Sequence, residues 1–167
     1  MLALALIGCT TMDEQARIRR VWEMQDHETS YRQARDAIAR GDLASAQQAG
    51  VDRAEPDPGP GLPPDATTHL AAVRTGGTAL SRAATLDQAA TQLASITADC
   101  AACHVGQSVS VPPLKDDAHE LLWDALVFES EPTWQAGLAK LPEPGPLGAA
   151  ATWPDRRAAI AAALPRR

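Results

Sequence analysis

The chain has 167 residues, which is enough for one domain with an appended subdomain. Its formal net charge of -6 argues against nucleic acid as a partner, because no basic cluster is placed to neutralise phosphates. Only 4% of the residues are aromatic, so Ala and Leu fill most apolar positions and the protein's own core should be thin.

The N-terminal segment resembles a bacterial lipoprotein signal. Residues 2–8 form an uninterrupted apolar run that stops at Cys9 and is too short to span a bilayer. Residues 6–9 read LIGC, which resembles a lipobox, in which the signal is removed before a cysteine that carries lipid. We predict a signal over residues 1–8 and a lipid anchor at Cys9, against a chance cysteine at a helix start. No basic residue precedes the run, which predicts a start further upstream or a marginal signal.

The next segment predicts two helices. Thr11 and Glu14 have the spacing of a capping box before a long amphipathic helix that should reach Arg40. Positions recurring every three or four residues form one inward stripe on it, namely Ile18, Val21, Met24, His27 or Glu28, Tyr31, Ala34 and Ile38. Asp42 can cap a second helix that runs to about Val51.

A proline-rich stretch separates these helices from the next pair. Residues 54–65 should form a loop, because their prolines lack N–H donors and have a fixed φ. Asp65 then caps a third helix, which Gly76 and Gly77 should weaken. Its expected inward residues are Leu70, Val73, Leu80 and Ala84.

The fourth helix has the clearest pattern. Thr85 and Gln88 form another capping box, and apolar residues follow at the helical period. They are Leu86, Ala89, Ala90, Leu93, Ala94 and Thr97, continued by Cys100 and His104. This helix therefore ends in residues 99–104, DCAACH.

Cys100, Cys103 and His104 form the C-x-x-C-H signature of c-type haem attachment. Two thiols one helical turn apart can each form a thioether with one vinyl group of a haem, and the adjacent imidazole can bind the iron. We therefore predict one covalent haem c. A buried porphyrin would also supply apolar bulk that the chain lacks.

Three other interpretations of the motif are weaker. A structural zinc site normally needs four ligands, and this sequence has no second C-x-x-C or closely spaced His pair to supply them. A thioredoxin-like pair needs a βαβ context, and no segment here has a strand pattern. A Cys100–Cys103 disulfide would give His104 no role. Haem attachment of this kind takes place outside the cytoplasmic membrane, so it supports export and a lipid-anchored protein on the periplasmic side or cell surface. Haem and lipid together account for all three cysteines, two for the haem and one for the lipid.

Further helices should follow the motif. Residues 116–129 are amphipathic, Ser130 begins a short helix, a break spans 142–148, and a last helix runs from Trp153 to Leu164. No strand pattern competes. We predict an all-α helical bundle, with a haem-binding part over 9–106 and a C-terminal extension over 107–167 that packs on it.

The helical pattern resembles the cytochrome c-prime type of four-helix bundle, and still more the single-haem, lipoprotein-type c cytochromes with an alanine-rich bundle. The matching elements are Met24-x-x-His27, the corner at 37–43 and the helix over 85–104. In c-prime bundles the motif closes the last helix, whereas residues 105–167 follow it here. Class I cytochromes fit worse, because their motif lies near the N-terminus and a methionine ligand follows.

The resemblance implies that a second iron ligand would come from the first helix. All 3 methionines precede the motif, which leaves Met24 or His27 as the candidate, with Met12 a distant second. The position of Met24 on the stripe is explained equally well by core packing. His27 could likewise be a surface or core histidine instead of an iron ligand. Lesser candidates or pocket-lining residues are His69, His119, Trp22 and Tyr31.

Three functional hypotheses follow. The first is an exported carrier that passes single electrons between redox partner proteins and is not itself an enzyme. The alternative is a c-prime-like protein that binds or senses NO or CO at an open distal site. The third, a subunit of a larger oxidoreductase complex, ranks last because no acid–base constellation is evident. A homodimer stays open.

Overall fold

The computed structural model describes residues 12–54, 64–108 and 116–163, with side chains described from Met24 onward in the first range and from Ala66 onward in the second. In these ranges all regular structure is helical and no β-strand occurs, which confirms the all-α prediction. The helices are α1 (Met12–Ala39), α2 (Leu43–Ala54), α3 (Pro64–Ser81), α4 (Leu86–Gly106), α5 (Ala118–Phe128), α6 (Glu131–Ala139), α7 (Gly145–Ala149) and α8 (Trp153–Ala163).

Helix α4 lies at the centre of the bundle. It contacts α1, α2 and α3, and it also contacts α5 and α8. One continuous apolar cluster draws on Tyr31 of α1, Leu93 of α4, Trp123 of α5, Trp134 of α6 and Ile160 of α8. The helices that follow the C-x-x-C-H motif therefore help to bury the helix that carries it.

Helices α1 and α2 form a hairpin that turns at Gly41. This glycine has a φ of 75°, a left-handed conformation that glycine adopts without steric cost. Asp42 then caps α2, because its Oδ1 accepts a hydrogen bond of 3.0 Å from the Ser45 N–H. Both the helix end and the cap agree with the sequence-based prediction.

The inward stripe of α1 is confirmed only in its second half. Tyr31, Ala34 and Ile38 are buried, but Met24 is 38% exposed, so the prediction that Met24 faces inward is wrong. The 28 residues of α1 extend about 42 Å and the 12 residues of α2 about 18 Å. Helix α2 therefore covers only the half of α1 nearest the turn, and Met24 lies beyond its end.

Helix α3 runs through Gly76 and Gly77 without a break, although glycine lowers helix propensity. The glycines lie where neighbouring helices pack closely against α3. A Cβ at Gly50 of α2 would lie 2.6 Å from the Ser81 backbone nitrogen and 2.8 Å from the Gly77 carbonyl oxygen. Gly76 likewise faces the Ile96 side chain. The glycines thus lower helix propensity but allow α2 and α3 to approach closely.

We expect Gly50→Ala to lower the free energy of unfolding by about 1–3 kcal/mol, because the backbone atoms it would meet cannot move without separating two helices. Gly106→Ala is the matched control, since a Cβ there meets nothing within 4 Å. Urea titration followed by circular dichroism measures both. Equal stabilities of the two variants would contradict the close approach described above.

Other predicted boundaries differ by small amounts. Helix α3 begins at Pro64, so Asp65 lies in its first turn instead of capping it, and Ala84 lies in the exposed turn after α3. The predicted break at 142–148 contains the short helix α7. In the α4 cap, the Gln88 N–H donates to Thr85 Oγ1 over 3.2 Å, and Gln88 Oε1 accepts from the Ala84 N–H.

Several predictions fall outside the described residues. They concern the signal over 1–8 with Cys9, the Thr11 cap, and the proline-rich loop, of which 55–63 is not described. The structure also does not describe the side chains of four α1 residues named above, Met12, Ile18, Val21 and Trp22.

A buried ion pair joins α1 to α5. Arg35 Nη2 lies 2.8 Å from Glu120 Oε1, and both side chains are almost fully buried. Arg35 also donates to the exposed Asp36, and Arg32 Nη2 lies 3.3 Å from Glu120 Oε2. The two contacts of Glu120 join residues that are far apart in sequence, so they link α5 to α1.

Candidate functional site

The C-x-x-C-H residues occupy the last turns of α4. Cys100, Cys103 and His104 are all half-buried, and neither cysteine is in a disulfide bond. Both side chains are therefore thiols in this structure. Ala102 and Val105 point outward, and Val105 is 59% exposed, which leaves an apolar side chain on the surface beside the motif.

His104 is held by the end of α5. Its Nδ1 lies 3.1 Å from the carbonyl oxygen of Val127, and its ring stacks on Phe128 with centroids 4.6 Å apart and planes at 14°. A carbonyl oxygen only accepts hydrogen bonds, so Nδ1 carries the proton and donates. In the neutral imidazole, Nε2 then has the lone pair that a metal needs.

Burial also lowers the pKa of His104, and the hydrogen bond to Val127 opposes part of that shift. The two effects act on the same ring: one favours the neutral form and the other sets its tautomer. The imidazole is thus held in one orientation by a stacked ring and one hydrogen bond, at the position that we predict to bind iron.

Cys100 is surrounded by groups from α1 and α2. Arg53 Nη2 of α2 lies 3.8 Å from Cys100 Sγ, while its Nη1 donates a hydrogen bond to the backbone carbonyl of His27. The Arg53 guanidinium also lies 5.7 Å from the centroid of the Tyr31 ring. Burial raises the pKa of the Cys100 thiol, and the positive charge of Arg53 opposes that shift.

Tyr31 packs edge to face against Trp123, with ring centroids 5.6 Å apart. Its hydroxyl oxygen and Arg53 Nε are buried and have no hydrogen-bond partner among the described residues. Burial raises the pKa of Tyr31 well above its usual 10, so the hydroxyl stays protonated. Two buried polar groups without partners among the described residues therefore lie near Cys100.

The two candidate distal ligands differ in their surroundings. His27 is half-buried, and its pKa is lowered to about 4 by burial first and the nearby Arg53 second, with Asp26 opposing. Its imidazole is therefore neutral at pH 7. Met24 lies one turn earlier on α1 and is partly exposed. Through Arg53, which contacts both His27 and Cys100, this part of α1 lies near the motif.

The remaining predicted residues lie elsewhere or serve the core. His69 is on α3 and His119 is in the first turn of α5, and both are half-buried. Tyr31, predicted to line a pocket or the core, is buried in the core cluster and close to Cys100.

One carboxylate near the site titrates unusually. The pKa of Asp124 on α5 is raised from 3.8 to about 6 by burial first and by Glu120 second, while Arg32 opposes this and Glu28 adds to it. A raised acid pKa favours the protonated form in the folded state. Its contribution to stability is therefore present in full below about pH 4 and is lost as the pH rises through 6.

We expect Asp124→Asn to be more stable than the wild type at pH 7 by on the order of 1 kcal/mol, since solvent screens a half-buried carboxylate. The difference should largely vanish at pH 3, where the carboxyl is mostly protonated in both the folded and the unfolded state. Chemical unfolding at the two pH values measures it, with Asp52→Asn as the same charge change at an exposed position. A pH-independent difference would mean that burial of this carboxylate is not the cause.

The described residues contain no group of three or more His, Cys, Asp or Glu side chains placed to hold a metal ion. A haem iron takes only one or two ligands from the protein, so a haem site does not need three such side chains. Within the same described ranges, no helix has the length and apolar character to cross a membrane.

The chain matches no protein-family model, no curated protein and no solved structure.

Arg53 and the Val127 carbonyl were not among the predicted site residues. A signal for Arg53 was present, because it follows Ala46, Ala49 and Gly50 at the spacing of one buried helix face. The second helix was predicted to end near Val51, which removed Arg53 from that face. The Val127 carbonyl carries no side-chain signal and is accessible only because α5 ends beside His104.

Proposed function

We propose that this protein is an exported c-type cytochrome that carries one haem on Cys100 and Cys103 and passes single electrons between redox partner proteins. The observation that carries the proposal is the orientation of His104 beside two cysteines that form no disulfide. A hydrogen bond at Nδ1 and a stacked Phe128 leave Nε2 as the atom for iron.

The haem would supply a one-electron Fe(III)/Fe(II) couple. The cysteine sulfurs would hold it covalently, and His104 would bind the iron on the proximal side. The Val127 carbonyl would fix the imidazole tautomer, as second-shell partners of metal-bound histidines commonly do. Buried Tyr31 and Trp123 would keep water away from the inner side of the motif. A rigid set of ligands suits electron transfer because little must move when the charge changes.

For the second axial position we propose His27 or Met24. His27 is supported by its partial burial, by its neutral imidazole at pH 7 and by the contact of Arg53 with its backbone. Met24 is supported by its position one turn away on the same helix, although its side chain is less enclosed.

A second candidate function is a c-prime-like protein that binds NO or CO. Its support is the 38% exposure of Met24, because packing does not hold that thioether in place as a ligand. If His27 also stays away from the iron, the distal site would be open.

The proposal includes a lipid anchor at Cys9 and a position on the periplasmic side or cell surface, both of which rest on the N-terminal sequence. It treats the protein as an electron carrier and not as an enzyme, with no nucleic-acid partner. Association with an oxidoreductase complex, or as a homodimer, belongs to the same proposal.

The test is spectroscopy of protein produced in a host with a c-type haem maturation system. Electron transfer predicts a low-spin, six-coordinate ferric spectrum by EPR and a ferrous form whose CO binding must displace a ligand. A high-spin ferric signal with immediate CO binding would favour the gas-binding function instead. Absence of any haem absorbance in protein from this host, with a known cytochrome haem-loaded in parallel, would overturn both.

A further inference from the structure

Arg53 is a buried cation in an unusual position. It is 4% exposed, and no carboxylate among the described residues lies within ion-pair distance of it. The other deeply buried arginines, Arg35 and Arg156, each have such a carboxylate, Glu120 and Glu131 respectively. Burial of a charge is costly, and the described partners of Arg53 are a carbonyl, an aromatic ring and a sulfur instead of a carboxylate.

The contacts of Arg53 connect three elements at the motif. Its guanidinium, at the end of α2, donates to the His27 carbonyl of α1, lies over the Tyr31 ring and reaches Cys100 Sγ of α4. The Nε atom is buried and has no hydrogen-bond partner in the part of the chain that the structure describes. The side chain therefore positions the attachment sulfur relative to the first helix, and it places a full positive charge against that sulfur.

On the basis of the proposed function, we infer that Arg53 is a positioning residue that raises the midpoint potential of the haem attached at Cys100. The oxidised iron centre carries one more positive charge than the reduced centre. A fixed cation nearby disfavours the oxidised state, and the low polarity of a buried site reduces screening. The partner carbonyl and aromatic ring hold the guanidinium in place but do not cancel its charge.

The experiment is a redox titration of the holoprotein followed by visible absorbance. We expect Arg53→Met to shift the midpoint potential to a more negative value, and Arg53→Lys, which keeps the charge, to restore most of it. Arg82→Met is the matched control, because it removes one positive charge from an exposed position. It should leave the potential nearly unchanged.

Arg53→Gln is the second variant if Arg53→Met does not fold with haem, since it keeps a donor for the His27 carbonyl and removes the charge. The same negative shift is expected. If Arg53 had a purely structural role, Arg53→Met would be less stable in urea unfolding, but the midpoint potential would not change with the charge at this position. Haem-loaded variants with unchanged midpoint potentials would overturn the inference about Arg53 alone. A wild type without haem would overturn the proposed function itself.

Discussion

Replacing both Cys100 and Cys103 with Ser is expected to remove all covalently held haem. Each cysteine offers one sulfur on the same face of α4, and neither is in a disulfide bond. The single variants keep one sulfur and should retain haem at reduced yield. Haem staining after denaturing electrophoresis measures the retained fraction, because only thioether-linked haem stays with an unfolded chain.

Cys9→Ser is the control for this experiment, since the proposal assigns that cysteine to lipid and not to haem. It should keep full haem staining while losing membrane attachment. His104→Ala should keep both sulfurs but lose the proximal ligand, and would therefore change the absorbance spectrum more than the stain. Haem staining of the double Ser variant at the wild-type level would rule out attachment through this motif.

Replacing Glu120 with Leu is expected to lower the free energy of unfolding by about 3 kcal/mol. Removing one partner of a buried ion pair leaves the other charge uncompensated, which typically costs about 3–5 kcal/mol. Asp36 continues to bind Arg35, so the lower end of that range applies. Chemical denaturation monitored by circular dichroism measures the loss.

Lys140→Ala is the matched control, because its pair with Asp116 is largely exposed. Exposed pairs contribute about 0–1 kcal/mol, so this variant should be nearly as stable as the wild type. The double variant Arg35→Met with Glu120→Leu should recover part of the loss, since it removes both charges together. A Glu120→Leu variant that loses no more than Lys140→Ala would show that the α1–α5 pair does not hold the helices together.

Most of the helices could be predicted from local signals. The turn at Gly41, the Asp42 cap and the Thr85 cap each depend on residues within one helical turn, so a single sequence contains what is needed. The apolar period of α4 correctly indicated which of its positions are buried, among them Ala89, Leu93 and Thr97. For the same reason the placement of Cys100 and His104 on that helix could be predicted from their spacing.

Features that depend on distant residues could not be predicted in this way. Met24 fits the stripe of α1, but its exposure depends on how far α2 extends beside it. Gly50 and Gly77 appear unfavourable in isolated helices and become favourable only when α2 and α3 meet. The support of His104 comes from a backbone carbonyl of α5, and the charge next to Cys100 comes from α2.

The central claim is covalent haem on α4, and the most direct test is the mass of one peptide. Trypsin cuts after Arg82 and Lys115, so peptide 83–115 of protein matured in a competent host contains both cysteines and His104 and excludes the lipid site. We predict that this peptide carries the added mass of one haem. Recovery of the peptide only at its unmodified mass would contradict the account.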